Sequence, residues 1–162
     1  MSKLFINLLL RLAKNEVDFV IVGGFAGVVY GCTYVTQDVD ICCDFSPGNL
    51  KKLQKALEDV HPVHRMTPNR LKLELNDENA GQFKNLYLDT DIGQLDCLSF
   101  VEGVGDFKAA KQKSRLIEVE DVKIRVLDID ALIEAKKAMN RPRDIQMLEQ
   151  LKKIKQVSKD SG

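Results

Sequence analysis

The sequence predicts an α/β (α+β) fold: a mixed, twisted sheet with flanking helices and a short helical C-terminal portion. Three observations carry this. Apolar runs of strand length (VDFVIV, VDICC and QLDCLSF) recur along the chain, the first two alternate with helix-spaced segments, and from Asp128 onward the spacing is helical. At 162 residues the chain suits one domain, which we place at residues 1–157, with a core at about 17–127, C-terminal helices at about 128–157 and a disordered tail at 158–162.

Ser2 is placed to cap a first helix, in which Phe5, Leu8, Leu9 and Leu12 recur at helical spacing and form an apolar stripe. Val17 to Val22 reads as a buried strand, broken by Gly23-Gly24 before a helical stretch reaching about Gly31. Val39 to Cys43 is a second strand, and Ser46-Pro47-Gly48 turns the chain into a helix from about Asn49 to Val60. His61 and His64 flank Pro62 in a connection, with no second ligand pair at metal spacing, so they read as surface or turn residues. Leu71 to Leu75, Leu86 to Asp89 and Leu95 to Phe100 read as three further strands. Beyond Gly105 a charged segment leads to a pairing of Leu116–Val119 with Val122–Val126. A helix then runs to about Met139, and Pro142 opens a last one with Ile145, Leu148, Leu151 and Ile154 on one face.

Composition excludes several classes. Lys plus Arg and Asp plus Glu are equal at 24 each, so no global positive field draws in nucleic acid. The apolar N-terminal stretch is interrupted by Arg11, Lys14, Glu16 and Asp18, which argues against a membrane span or a cleaved leader. Four cysteines without CxxC spacing read as reduced, buried thiols, which favours the cytoplasm.

Chemistry gathers at VGGFAGVVYGCTYVTQDVDICCD. Asp38 and Asp40 alternate onto one face of their strand, where mutual repulsion calls for a cation. A hard divalent ion such as Mg²⁺ takes oxygen ligands and keeps positions open for phosphates. Asp96 lies in another apolar strand; were that strand adjacent, three carboxylates would meet, the number that two-metal phosphoryl chemistry uses. Gly23-Gly24, entering a helix, offers backbone N–H groups to an anion. A dinucleotide fingerprint fits less well, because Val22 stands where its first glycine belongs, and no GxxxxGK[ST] loop is present.

GG at Gly23-Gly24, DVD at Asp38 to Asp40 and Asp96 in a later strand together resemble the nucleotidyltransferase superfamily related to DNA polymerase beta. More narrowly, GGFAGVVYGCTYVTQDVDI with LDIDALIEAKKAMNRPRDIQMLEQL is similar to small bacterial nucleotidyltransferases of the toxin-antitoxin type. The likeness implies transfer of a nucleoside monophosphate from an NTP such as ATP to a hydroxyl of a protein, RNA or small molecule. It implies Asp38, Asp40 and Asp96 as catalytic metal ligands for one or two Mg²⁺ ions. It further implies Gly23, Gly24, Thr36 and Lys136 as nucleotide-binding residues, with an antitoxin protein as a partner. For Lys136 and Lys137 the plain alternative is the solvent face of a helix. Arg141, Arg143 and Asp144 read as a charge cluster at a helix start. Many relatives carry Ser where this chain has Gly24 and Arg where it has Tyr34. Those departures motivate the alternative of a nucleotide-binding or partner-binding module with little catalysis.

Overall fold

The computed structural model describes residues 3–33 and 36–161, so the proposed cap at Ser2 and the Tyr34 departure lie outside the described residues. These residues form six α-helices and nine strands: α1 (Lys3–Lys14), β1 (Phe19–Val22), α2 (Gly23–Val29), β2 (Asp38–Cys43), α3 (Pro47–Leu57), β3 (Val63–His64), β4 (Asn85–Thr90), β5 (Gly93–Leu98), β6 (Phe100–Val101), β7 (Gly105–Asp106), α4 (Phe107–Gln112), β8 (Ser114–Val119), β9 (Val122–Leu127), α5 (Ile129–Met139) and α6 (Pro142–Ser161). Seven strands make one mixed sheet in the order β3-β4-β5-β2-β1-β9-β8, and β6 pairs with β7 in a separate hairpin. β2 is antiparallel to β1 and parallel to β5, while β1 and β9 are parallel. Central β1 is buried at every residue, as its unbroken apolar run requires.

Local chemistry explains the helix starts. Ser46 Oγ accepts a hydrogen bond from the Asn49 N–H at 3.4 Å, and Pro47 opens α3, where its missing donor costs nothing. Asp106 and Asp128 cap α4 and α5 in the same way through the N–H groups of Ala109 and Ala131. Leu8, Leu9 and Leu12 of α1 are buried, as the stripe predicted.

Four expectations change. Leu71–Leu75 is not a strand: among the described residues its ladder contact is an isolated bridge between Lys72 and Val63 of β3, which is itself two residues long. Its apolar alternation is nonetheless real, since Leu73 and Leu75 are buried and Leu71 is exposed. His64 is part of edge strand β3 and stacks on Phe83, whereas His61 is exposed and pairs with Asp91 at 2.5 Å. The charged segment beyond Gly105 forms α4. Finally, α6 continues to Ser161 through the expected tail, and its buried face carries Met147 and Leu151 while Ile145 is exposed. Leu148, Leu151 and Ile154 pack on the core as the spacing predicted, and Met147 joins them at Gly27, where a Cβ would stand 2.6 Å from Met147 Sδ, so its absence lets α6 lie against α2.

Candidate active site

β2 presents Asp38 and Asp40 on one face, each half-buried, with buried Val39 between them. β5 lies parallel beside β2 with Asp96 directly opposite Asp40, so the third carboxylate shares that face. Carboxylate oxygens of Asp38, Asp40 and Asp96 all lie within 4.8 Å of one another. Crowding has an electrostatic consequence. Burial, then the charges of Asp38 and Asp96, push the Asp40 carboxyl up to about 7, with Lys136 acting the other way. Burial also raises Asp96, against the hydrogen bond and charge of Arg65.

The glycine turn abuts this cluster. Gly23 has φ +67°, and a Cβ on it would collide with Asp40 Oδ2, so both conformation and space demand glycine. α2 starts at that residue, and Val22 before it makes no side-chain cap bond to the first turn. Thr36 donates its hydroxyl to the Asp38 carbonyl at 2.7 Å, which ties the entry of β2.

Lys136 is not on the solvent face. It is 6% exposed, and its ammonium lies 3.2 Å from Asp144 Oδ1. Asp144, 1% exposed, also accepts from Arg141 Nε at 2.6 Å and from the Arg141 backbone N–H at 3.0 Å. Burial alone would raise the Asp144 carboxyl, but Arg141 and Lys136 outweigh it and hold it at about 2. Of the charges at the start of α6, Asp144 is buried and holds Lys136 with the partly exposed Arg141, while Arg143 is exposed. Lys137, unlike Lys136, is exposed.

All these elements border one cleft of about 410 Å³, lined by Gly23, Gly24, Thr36, Asp38, Asp40, Asp96 and Lys136. The seven residues singled out from the sequence are thus together. The sequence reading missed other parts of the neighbourhood. Tyr87, opposite Asp96 on β4, lines the cleft, as do Arg141, Arg143 and the exposed Phe100. Arg65, just after β3, places its Nη2 2.6 Å from Asp96 Oδ1. No spacing rule marks an arginine that reaches its partner across two strands.

No family model and no curated protein sequence matches this chain. Solved structures do. The lincosamide antibiotic adenylyltransferase LnuA, in its lincomycin-bound form, superposes with a TM-score of 0.63 at 16% identity, covering 95% of this chain and 98% of that one. ANT(2″)-Ia in complex with adenylyl-2″-tobramycin gives 0.55 at 14% identity, over 98% and 96% of the two chains. An inferred nucleotidyltransferase from Thermotoga maritima gives 0.57 at 14% identity, over 90% and 91%.

The fold is that of the nucleotidyltransferases. In a nucleotidyltransferase fold of this kind the β2–β5 pairing is what brings Asp96 to the Asp38–Asp40 pair. The glycine turn between β1 and α2 then closes one side of the cleft.

Proposed function

We propose that this chain is a Mg²⁺-dependent nucleotidyltransferase that moves a nucleoside monophosphate from an NTP to a hydroxyl and releases pyrophosphate. One observation carries the reading: three carboxylates from two adjacent strands converge within 4.8 Å in a cleft shared with the start of α2. The residues fit the metal. The donors are all oxygen, and burial together with the charges of Asp38 and Asp96, which raise Asp40 to about 7, opposes an ionised carboxylate that a hard divalent cation would stabilise. Bound Mg²⁺ would neutralise the triphosphate and acidify the attacking hydroxyl.

Asp38, Asp40 and Asp96 would hold the metal, and Asp96 would also take the proton of the acceptor hydroxyl. The new bond joins that oxygen to the α-phosphorus, and the α–β bridging P–O bond breaks, its electrons leaving with pyrophosphate. N–H groups at Gly23 and Gly24 and the Lys136 ammonium suit the triphosphate oxygens. Near full-length likeness to proteins seen with lincomycin and with adenylyl-tobramycin supports a small hydroxyl compound as acceptor.

The test is incubation with α-labelled NTPs and Mg²⁺, offering lincomycin, tobramycin and a cell extract as acceptors. Wild type should label an acceptor, and Asp40→Ala should not; labelling that survives the substitution removes these roles. Mg-NTP binding without transfer to any acceptor would favour the binding-module alternative. Growth arrest on expression in a bacterial host, relieved by Asp40→Ala, would extend the reading to a toxin held by an antitoxin.

A further inference from the structure

Arg65 stands at the end of a two-residue edge strand, yet it is among the most anchored cations in the structure. Its backbone N–H donates to the Tyr87 carbonyl at 2.8 Å, its Nη1 donates to the Leu88 carbonyl at 2.9 Å, and its Nη2 donates to Asp96 Oδ1 at 2.6 Å. The pair is shielded, with side chains 19% and 14% exposed. Two guanidinium bonds, one to the Leu88 carbonyl of β4 and one to Asp96 of β5, hold the planar group in place, and the backbone bond anchors the residue that carries it.

Charge adds a second argument. Arg65 places one fixed positive charge against Asp96, so it offsets part of the negative charge of the triad and opposes a cation held there. Lys136, Arg141 and Arg143 also border the cleft, and Lys136 and Arg141 are engaged with Asp144.

We propose that Arg65 is a positioning residue for Asp96: it claims Oδ1, leaves Oδ2 for the acceptor's proton, and weakens the pull of the triad on a divalent ion before NTP arrives. The inference rests on the function proposed above and deepens it. Its distinctive consequence is that transfer and cation affinity move in opposite directions when Arg65 loses its charge. A residue that merely supported the fold would weaken both.

The experiment titrates nucleotide-free protein with Mn²⁺ by calorimetry and measures the initial rate of label transfer from α-labelled ATP to cell extract. Arg65→Gln should bind Mn²⁺ tighter by about threefold or more, because one repulsive charge beside the triad is gone. The same variant should transfer label at least about tenfold more slowly, since Asp96 is no longer oriented. Arg65→Lys keeps the charge without the fork, so its Mn²⁺ affinity should stay within about twofold of wild type while transfer still falls. Weaker or unchanged Mn²⁺ binding by Arg65→Gln, or wild-type transfer by either variant, overturns the proposal. If Arg65→Gln does not fold, Arg65→Lys decides alone: unchanged transfer refutes the role, and slowed transfer at preserved affinity supports it. Wild-type protein that binds no Mn²⁺ strikes at the metal reading itself, an outcome distinct from a failure at Arg65.

Discussion

At Asp40, function and stability pull against each other. The carboxyl is held at about 7 first by burial and then by Asp38 and Asp96, against an ordinary value of 3.8. A folded-state pKa above the unfolded one means the folded protein binds the extra proton, so this contribution is present at low pH and is lost as pH rises through about 7. Keeping Asp40 ionised without a cation costs on the order of 2–4 kcal/mol. In EDTA the wild type should therefore melt higher near pH 5.5 than near pH 7.5, and Asp40→Asn should reduce that difference. Asp40→Asn should also raise the melting temperature at pH 7.5 while transfer is lost, and Mg²⁺ should stabilise the wild type but not the variant. Thermal melts at the two pH values check this; equal melts of wild type and Asp40→Asn in EDTA at pH 7.5 would contradict the strain assigned to the triad.

The junction of α5 and α6 shows how elements hold a site. α5 ends at Asn140 with φ +51°, and Asp144, one turn into α6, gathers Arg141 and Lys136 around a buried carboxylate. Its depressed pKa gives stability that is present above the ordinary value of 3.8 and is lost as pH falls toward about 2. Asp144→Asn takes from buried Lys136 the carboxylate it pairs with and should cost about 3–5 kcal/mol. Mg-NTP affinity, read by calorimetry, should fall with it, and unchanged affinity would remove Lys136 from the nucleotide site. The sequence marked Lys136 only through family likeness, since a lysine among helical charges looks solvent-facing until Asp144 is placed. Asp38 and Asp40 were legible because strand alternation alone puts them on one face. Asp96 joined them only through β2–β5 pairing, a contact between strands far apart in sequence that no local pattern encodes. Leu71–Leu75 misled for the converse reason: its alternation reports burial, but strand status needs a ladder rather than an isolated bridge.

Across the whole molecule, the cleft exists because α5 and α6 close over an open sheet face. Met147 and Leu151 are at most 2% exposed, and Met147 fills the space that Gly27 leaves by lacking a Cβ. Removing two such side chains costs about 2–5 kcal/mol each, before the loss of Asp144 from Lys136. Against a typical total of about 5–15 kcal/mol, little is left. Deletion of residues 141–162 should therefore abolish cooperative urea unfolding followed by circular dichroism. Ser158 and Lys159 are exposed, and deletion of residues 158–162 should keep stability within about 0.5 kcal/mol of the full chain. A cooperative transition in the longer deletion would mean that the sheet with α1 to α5 folds by itself. The C-terminal helix would then be a wall added to a finished domain rather than part of its core.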